Sequence, residues 1–127
     1  MSNKNRARDW LNQALNDYDY ATEGIKQGFY SQVCFLAQQV GEKAIKAIAF
    51  NREYEIRGHS ITKIAKAVGF NSTVETAAKR LDLFYISARY PDAFPEGAPF
   101  EFFSLEQAQG ALVDAKLILD LAHEEFS

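Results

Sequence analysis

The chain is poor in the residues that carry most familiar chemistry. It has a single cysteine, Cys34, and two histidines, His59 and His123. One cysteine excludes an internal disulfide and any cysteine-rich zinc site. Cys34 lies in the apolar run VCFLA and reads as a packed core thiol. Neither histidine belongs to an HExxH-like pattern, so the usual histidine-based metal signatures are missing. No metal and no other cofactor is expected. No glycine-rich phosphate loop and no Gly-x-Ser-x-Gly nucleophile turn occurs. No apolar stretch approaches the roughly 18 residues of a membrane span. The polar opening MSNKNRARDW has no apolar signal core. We therefore expect a cytoplasmic protein without membrane contact. Positive charge is not in excess either: 14 Lys and Arg face 17 Asp and Glu, a net charge of -3. That balance argues against coating nucleic acid by bulk electrostatics, while leaving local patches open.

What is present is apolar content at helical spacing. The 127 residues are 47% apolar, which suits one domain over residues 1–127 with one core. Trp10, Leu11, Ala14, Leu15, Tyr18, Ala21 and Ile25 follow the i, i+3, i+4, i+7 pattern, predicting a helix from about Asn5 to Gln27 with Gly28 as its stop. The next segment, from Tyr30 to Phe50, is more apolar. Its polar arc narrows to Gln38, Gln39, Glu42, Lys43 and Lys46. A helix of this breadth touches neighbours on more than one side. It reads as the central helix and as a contributor to a subunit interface.

A charged connection leads to a short helix around Ile61, Ile64, Ala65 and Val68, closed by Gly69. Ser72 and Glu75 have the form of a capping box. The helix they start runs through Val74, Leu81 and Phe84 to about Arg89, because Pro91 disfavours helical geometry at Tyr90. Ser104 and Gln107 form a second capping box, opening a last helix on Ala108, Leu112, Ala115 and Ile118. No segment reads as a strand. The expected fold is all-α: an antiparallel up-and-down four-helix bundle with one additional short helix.

The longest connection, ISARYPDAFPEGAPF from Ile86 to Phe100, holds all three prolines. Long ordered loops in small domains are uncommon and often functional. Arg89 stands at its mouth. A guanidinium there can satisfy helix-end carbonyls and pair with Asp92, which needs no ligand. It can equally bind phosphate, because its planar fork matches phosphate oxygens. Both readings stand at this point. For His59, at the start of the short helix, the bland reading is orientation of that helix or packing on a neighbour. For His123, in the last turn of the last helix, it is complementing the helix dipole.

The runs DWLNQALNDYDYA, GFYSQVCFLAQQVGEKAIKAIAF, GHSI and ISARYPDAFPEG, in this order and spacing, resemble prokaryotic HEPN-domain proteins. The resemblance covers nearly the whole chain. It implies an all-α homodimer, commonly partnered by a minimal nucleotidyltransferase in a toxin–antitoxin pair. Active members of that family are metal-independent endoribonucleases with an arginine followed by a histidine after four to six residues. Others bind nucleotides or serve as interaction modules. In such a motif the arginine stabilises charge on the scissile phosphate and the histidine moves protons.

Arg89 falls where the family places its arginine, but Phe94 stands where a four-residue spacing would put histidine. A phenylalanine cannot move protons, and losing an acid–base residue typically forfeits about 10²–10⁴ in rate. A second string, Arg52 and His59 with six residues between, has loose motif spacing in the wrong segment and reads as coincidence. The expectation is a homodimeric module that binds nucleotide or RNA phosphate through Arg89, Tyr90 and Asp92, or that partners a nucleotidyltransferase, with a degenerate ribonuclease motif. The alternative is an active endoribonuclease that uses Arg89 with another base such as His59, Asp92 or Tyr90 assisting.

Overall fold

Helix starts and stops follow local chemistry along most of the chain. The computed structural model describes residues 3–127. A 3-10 turn at Asn3–Arg6 leads into α1, Ala7–Lys26; Gly28, at φ 86°, turns the chain into α2, Tyr30–Asn51. Then come α3, Ile61–Val68, and α4, Ser72–Asp82. A single turn, α5, covers Phe84–Ser87, and α6 spans Leu105–Glu125. Two further 3-10 turns, Pro91–Ala93 and Pro99–Glu101, punctuate the long loop. Among the described residues there is no strand, and no helix is long and apolar enough to cross a membrane.

The α6 start is a complete capping box: the Ser104 hydroxyl accepts from the Gln107 amide, and the Gln107 side chain accepts from the Ser104 amide. The α4 start differs from expectation. Its cap is Asn71, whose side chain accepts from the Val74 amide at 3.1 Å, while Ser72 is already helical. Asn71 keeps the extended backbone that a cap requires.

α2 is central. It packs along α1 and α6 and receives α3 and α4 on a further side. Leu11, Ile45, Ile48, Ile61, Leu81, Ile118 and Leu119 are fully buried around it. Gly41 sets the closest approach: a Cβ there would lie 2.9 Å from Leu81 and 3.0 Å from Ile61. The breadth of α2 is thus used largely within the chain. Its narrow polar arc is also not a solvated face. Gln38, Glu42 and Lys46 are buried, and Lys43 is paired with Asp17 of α1.

The helix expected to run to Arg89 is interrupted at Leu83. The Ser87 hydroxyl donates to the Leu83 carbonyl at 2.6 Å, a bond that competes with regular helical pairing and bends helices. Asp82, the last residue of α4, reaches α3. Its carboxylate accepts from the Ile61 amide at 2.9 Å and from the Thr62 amide at 3.0 Å. It also accepts from the Thr62 hydroxyl at 2.6 Å. A carboxylate at a helix N-terminus satisfies free amides and complements the dipole.

Candidate functional site

Arg89 follows the single turn α5, its amide donating to the Ile86 carbonyl. Its side chain folds back, and Nε donates to the Tyr85 carbonyl at 2.8 Å. The helix-capping role is therefore real. It engages one edge of the guanidinium only. Three rings surround the group: its central carbon lies 4.3 Å from the ring centre of Phe35, 4.7 Å from Tyr85 and 4.8 Å from Tyr90. Arginine tolerates such faces because its cation is weakly hydrated and attracted by ring quadrupoles.

The expected partner, Asp92, does not join. Among the described residues no carboxylate lies within ion-pair distance of Arg89. Pro91 holds Tyr90 extended, at φ -117° and ψ 133°, and the chain leaves the helix there with Asp92 exposed on a 3-10 turn. Tyr90 joins the site, but through its ring face.

His59 reaches the same place from another segment. Its ring stacks on Tyr85 with centres 4.6 Å apart and planes 20° apart. Arg89 and His59, 30 positions apart in the chain, are thus both in contact with one tyrosine. The His59 Nδ1 is 3.2 Å from Oε2 of Glu42. A carboxylate oxygen accepts, so this bond places the proton on Nδ1 and leaves Nε2 as the other ring nitrogen. Glu42 is held in turn: Lys46 Nζ donates to it at 2.9 Å and Gln38 Nε2 at 3.1 Å. The site therefore has a buried polar floor on α2.

Phe94 belongs to a different cluster. It stacks on Phe102 at 4.6 Å and meets Phe103 edge-on at 6.4 Å, and Phe103 meets Phe84 at 5.8 Å. Gly97, at φ 80°, packs so closely that a Cβ would lie 2.9 Å from the Phe102 ring. Phe94 pins the long loop. Arg52 forms a bidentate pair with Glu125 and so has no part with His59, whose carboxylate is Glu42. Hydrogen bonding from Arg52, with a further bond from Asn51, holds the Glu125 carboxyl below its ordinary range. His123 is exposed in the last turn of α6.

Beside Arg89 lies an open cleft of about 490 Å³, with Tyr20, Gln32, Phe35, Pro99 and Phe100 among its lining residues. The sequence reading missed Phe35, Tyr85 and Glu42 as parts of this corner. The available signal was the placement of Gln38, Glu42 and Lys46 at successive i, i+4 positions on the most apolar helix, where polar groups must find partners.

The profile of the HEPN domain family matches residues 7–125. The chain belongs to this family. As a HEPN protein it is similar to TT1696 from Thermus thermophilus, with 38% identity and a TM-score of 0.90 over 95% of this chain and 98% of that one. It is also similar to ST0689, described as an archaeal HEPN homologue, with 34% identity and a TM-score of 0.85 over 96% and 98% of the two chains. A third relative, from Methanocaldococcus jannaschii, is named "Putative toxin MJ1304"; it is 24% identical over 91% of this chain and 84% of its own length. The expected family and the all-helical architecture are both borne out. Within this HEPN fold Phe94 packs the loop, and the histidine that joins the Arg89 corner is His59.

Proposed function

We propose that this HEPN protein binds nucleotide or RNA phosphate at the Arg89 corner, as a homodimer acting in a toxin–antitoxin-like system with a nucleotidyltransferase partner, and that its family ribonuclease motif is degenerate. One observation carries the reading. Arg89 is a cation without a carboxylate partner among the described residues, and it lines an open cleft. Its Nε is engaged by the Tyr85 carbonyl, and three rings lie against the guanidinium. Charge-assisted bonds to phosphate oxygens are about twice as strong as neutral ones, and a fixed fork loses less entropy in forming them. The name of the archaeal relative is consistent with a toxin–antitoxin context.

The test is fluorescence anisotropy with a short labelled RNA at low salt. Arg89→Ala is expected to weaken binding at least tenfold, and Arg89→Lys less. Unchanged binding in Arg89→Ala would remove the proposal.

A second reading, an active metal-independent endoribonuclease, gains support from His59. A carboxylate-oriented imidazole stacked on the tyrosine that also carries the arginine is the arrangement an acid–base residue needs. It would act on RNA held by Arg89. Purified protein that cleaves RNA in chelator, and loses cleavage in His59→Ala while still binding, would establish this reading over the first.

A further inference from the structure

The cleft beside Arg89 is bordered by rings that have little reason to be in water. Tyr20, from α1, is 68% exposed, and Phe100, from the loop turn Pro99–Glu101, is 66% exposed. Both line the same cleft as Arg89 and Phe35, whose ring centre is 4.3 Å from the guanidinium carbon. Gln32, on α2, adds an amide with donors and an acceptor. Aromatic faces beside an unneutralised cation are the recognition chemistry of unpaired bases: the face stacks on the base, and the cation takes the adjoining phosphate. A double helix cannot use such a cleft, since its bases are already stacked.

We infer that the Tyr20–Phe100 cleft takes an unpaired nucleobase whose adjoining phosphate is held by Arg89. The inference rests on the phosphate reading above and adds the base to it. The ligand class is a nucleobase with a neighbouring phosphate, from a mononucleotide or from single-stranded RNA. A protein partner on the same surface would use the rings but would not distinguish a base from its absence.

The experiment compares two labelled hexamers, hexaadenylate and an abasic ribose-phosphate chain of equal length, by anisotropy at one salt concentration. Binding to hexaadenylate is expected to be at least tenfold tighter, because base–aromatic stacking contributes on that scale. Tyr20→Ala and Phe100→Ala are expected to erase the difference while leaving abasic binding intact. Arg89→Ala is expected to weaken both hexamers. Because both rings are solvent-exposed, the variants should fold, which thermal unfolding checks.

Equal affinity for the two hexamers overturns the inference, and so does a preference that survives both ring variants. If abasic binding then still depends on Arg89, the phosphate reading stands alone. If Arg89→Ala changes neither hexamer, both readings fall. Ring variants that alter only the sedimentation coefficient would assign the cleft to a protein contact and overturn the inference. Displacement of hexaadenylate by adenosine monophosphate supports it with a mononucleotide as ligand. Retention of the hexamer with its base preference supports it with a strand.

Discussion

Glu42 is 6% exposed at its side chain, yet Lys46, Gln38 and His59 all converge on it. Removing one partner of a buried charge pair is more costly than the pair itself is stabilising, because the other charge is left without compensation. Glu42→Ala is therefore expected to destabilise by about 3–5 kcal/mol, measured by urea unfolding. Gln is the milder substitution, since its amide oxygen still accepts. Cys34 is the opposite case. It is fully buried, and burial pushes its thiol up to about 12, so it is unreactive at neutral pH. A thiol reagent added to native protein should label nothing until denaturant is present; rapid native labelling would contradict the burial.

Glu125 makes a pH prediction at the same scale. Its folded-state value is depressed from the ordinary 4.5, first by the hydrogen bond from Arg52. The unfolded chain therefore binds its proton more readily than the folded one. The stabilisation is fully present above the ordinary value and is lost as pH falls through the folded value. Wild type should exceed Glu125→Gln in urea midpoint at pH 7, and the gap should close in strong acid. A gap that widened with acid would contradict the assignment.

At the scale of elements, α3 depends on groups outside it. Ser60 accepts from the Lys63 amide, and Asp82 of α4 takes the next free amides. Asp82→Ala should cost about 1–3 kcal/mol, since two part-buried amides lose a charged acceptor. It should also loosen the segment carrying His59. The imidazole resonances of His59 would broaden or shift if so, and an unchanged spectrum would mean that Glu42 alone holds the ring. The loop from Arg89 to Ser104 is an element of its own kind. It is ordered by Phe94, Phe102 and Phe103 rather than by backbone ladders. Phe94→His, the substitution that would restore motif spacing, should lower stability by about 1–3 kcal/mol through lost ring contacts. Gained RNA cleavage in that variant would mark the wild type as a decayed enzyme. Helix packing is similarly sensitive at Gly41, where alanine meets two fixed aliphatic neighbours; about 1–3 kcal/mol of destabilisation is expected.

At the scale of the molecule, the dimer expectation has changed its basis. The apolar surplus of α2 is absorbed by α1, α3, α4 and α6. Among the apolar side chains left exposed, Leu83, 72% exposed, and Val113, 69% exposed, lie beside a groove between α4 and α6. Large exposed aliphatic groups bordering a groove are common at association surfaces. Sedimentation at micromolar concentration is expected to give twice the 14.3 kDa chain mass. A monomer would remove the homodimer from the proposal.

The helices were legible in the chain because amphipathic spacing and caps are local: each is set by residues within one or two turns. The family was legible as a resemblance in the order and spacing of four sequence runs. The Ser104 box and the turn at Gly28 needed nothing further. Tertiary structure alone decided what the polar and aromatic residues do. The positions of Gln38, Glu42 and Lys46 follow α2's period, but their burial depends on helices that arrive from elsewhere. Arg89 was visible as a phosphate-suited group; its three rings and its lack of Asp92 depend on α2 and on the exit angle at Pro91. His59 joins Arg89 through Tyr85, with Glu42 on its Nδ1, contacts that no spacing rule encodes. Local pattern determined the elements. Packing decided which charges are paired, which rings remain exposed, and so where a ligand could bind.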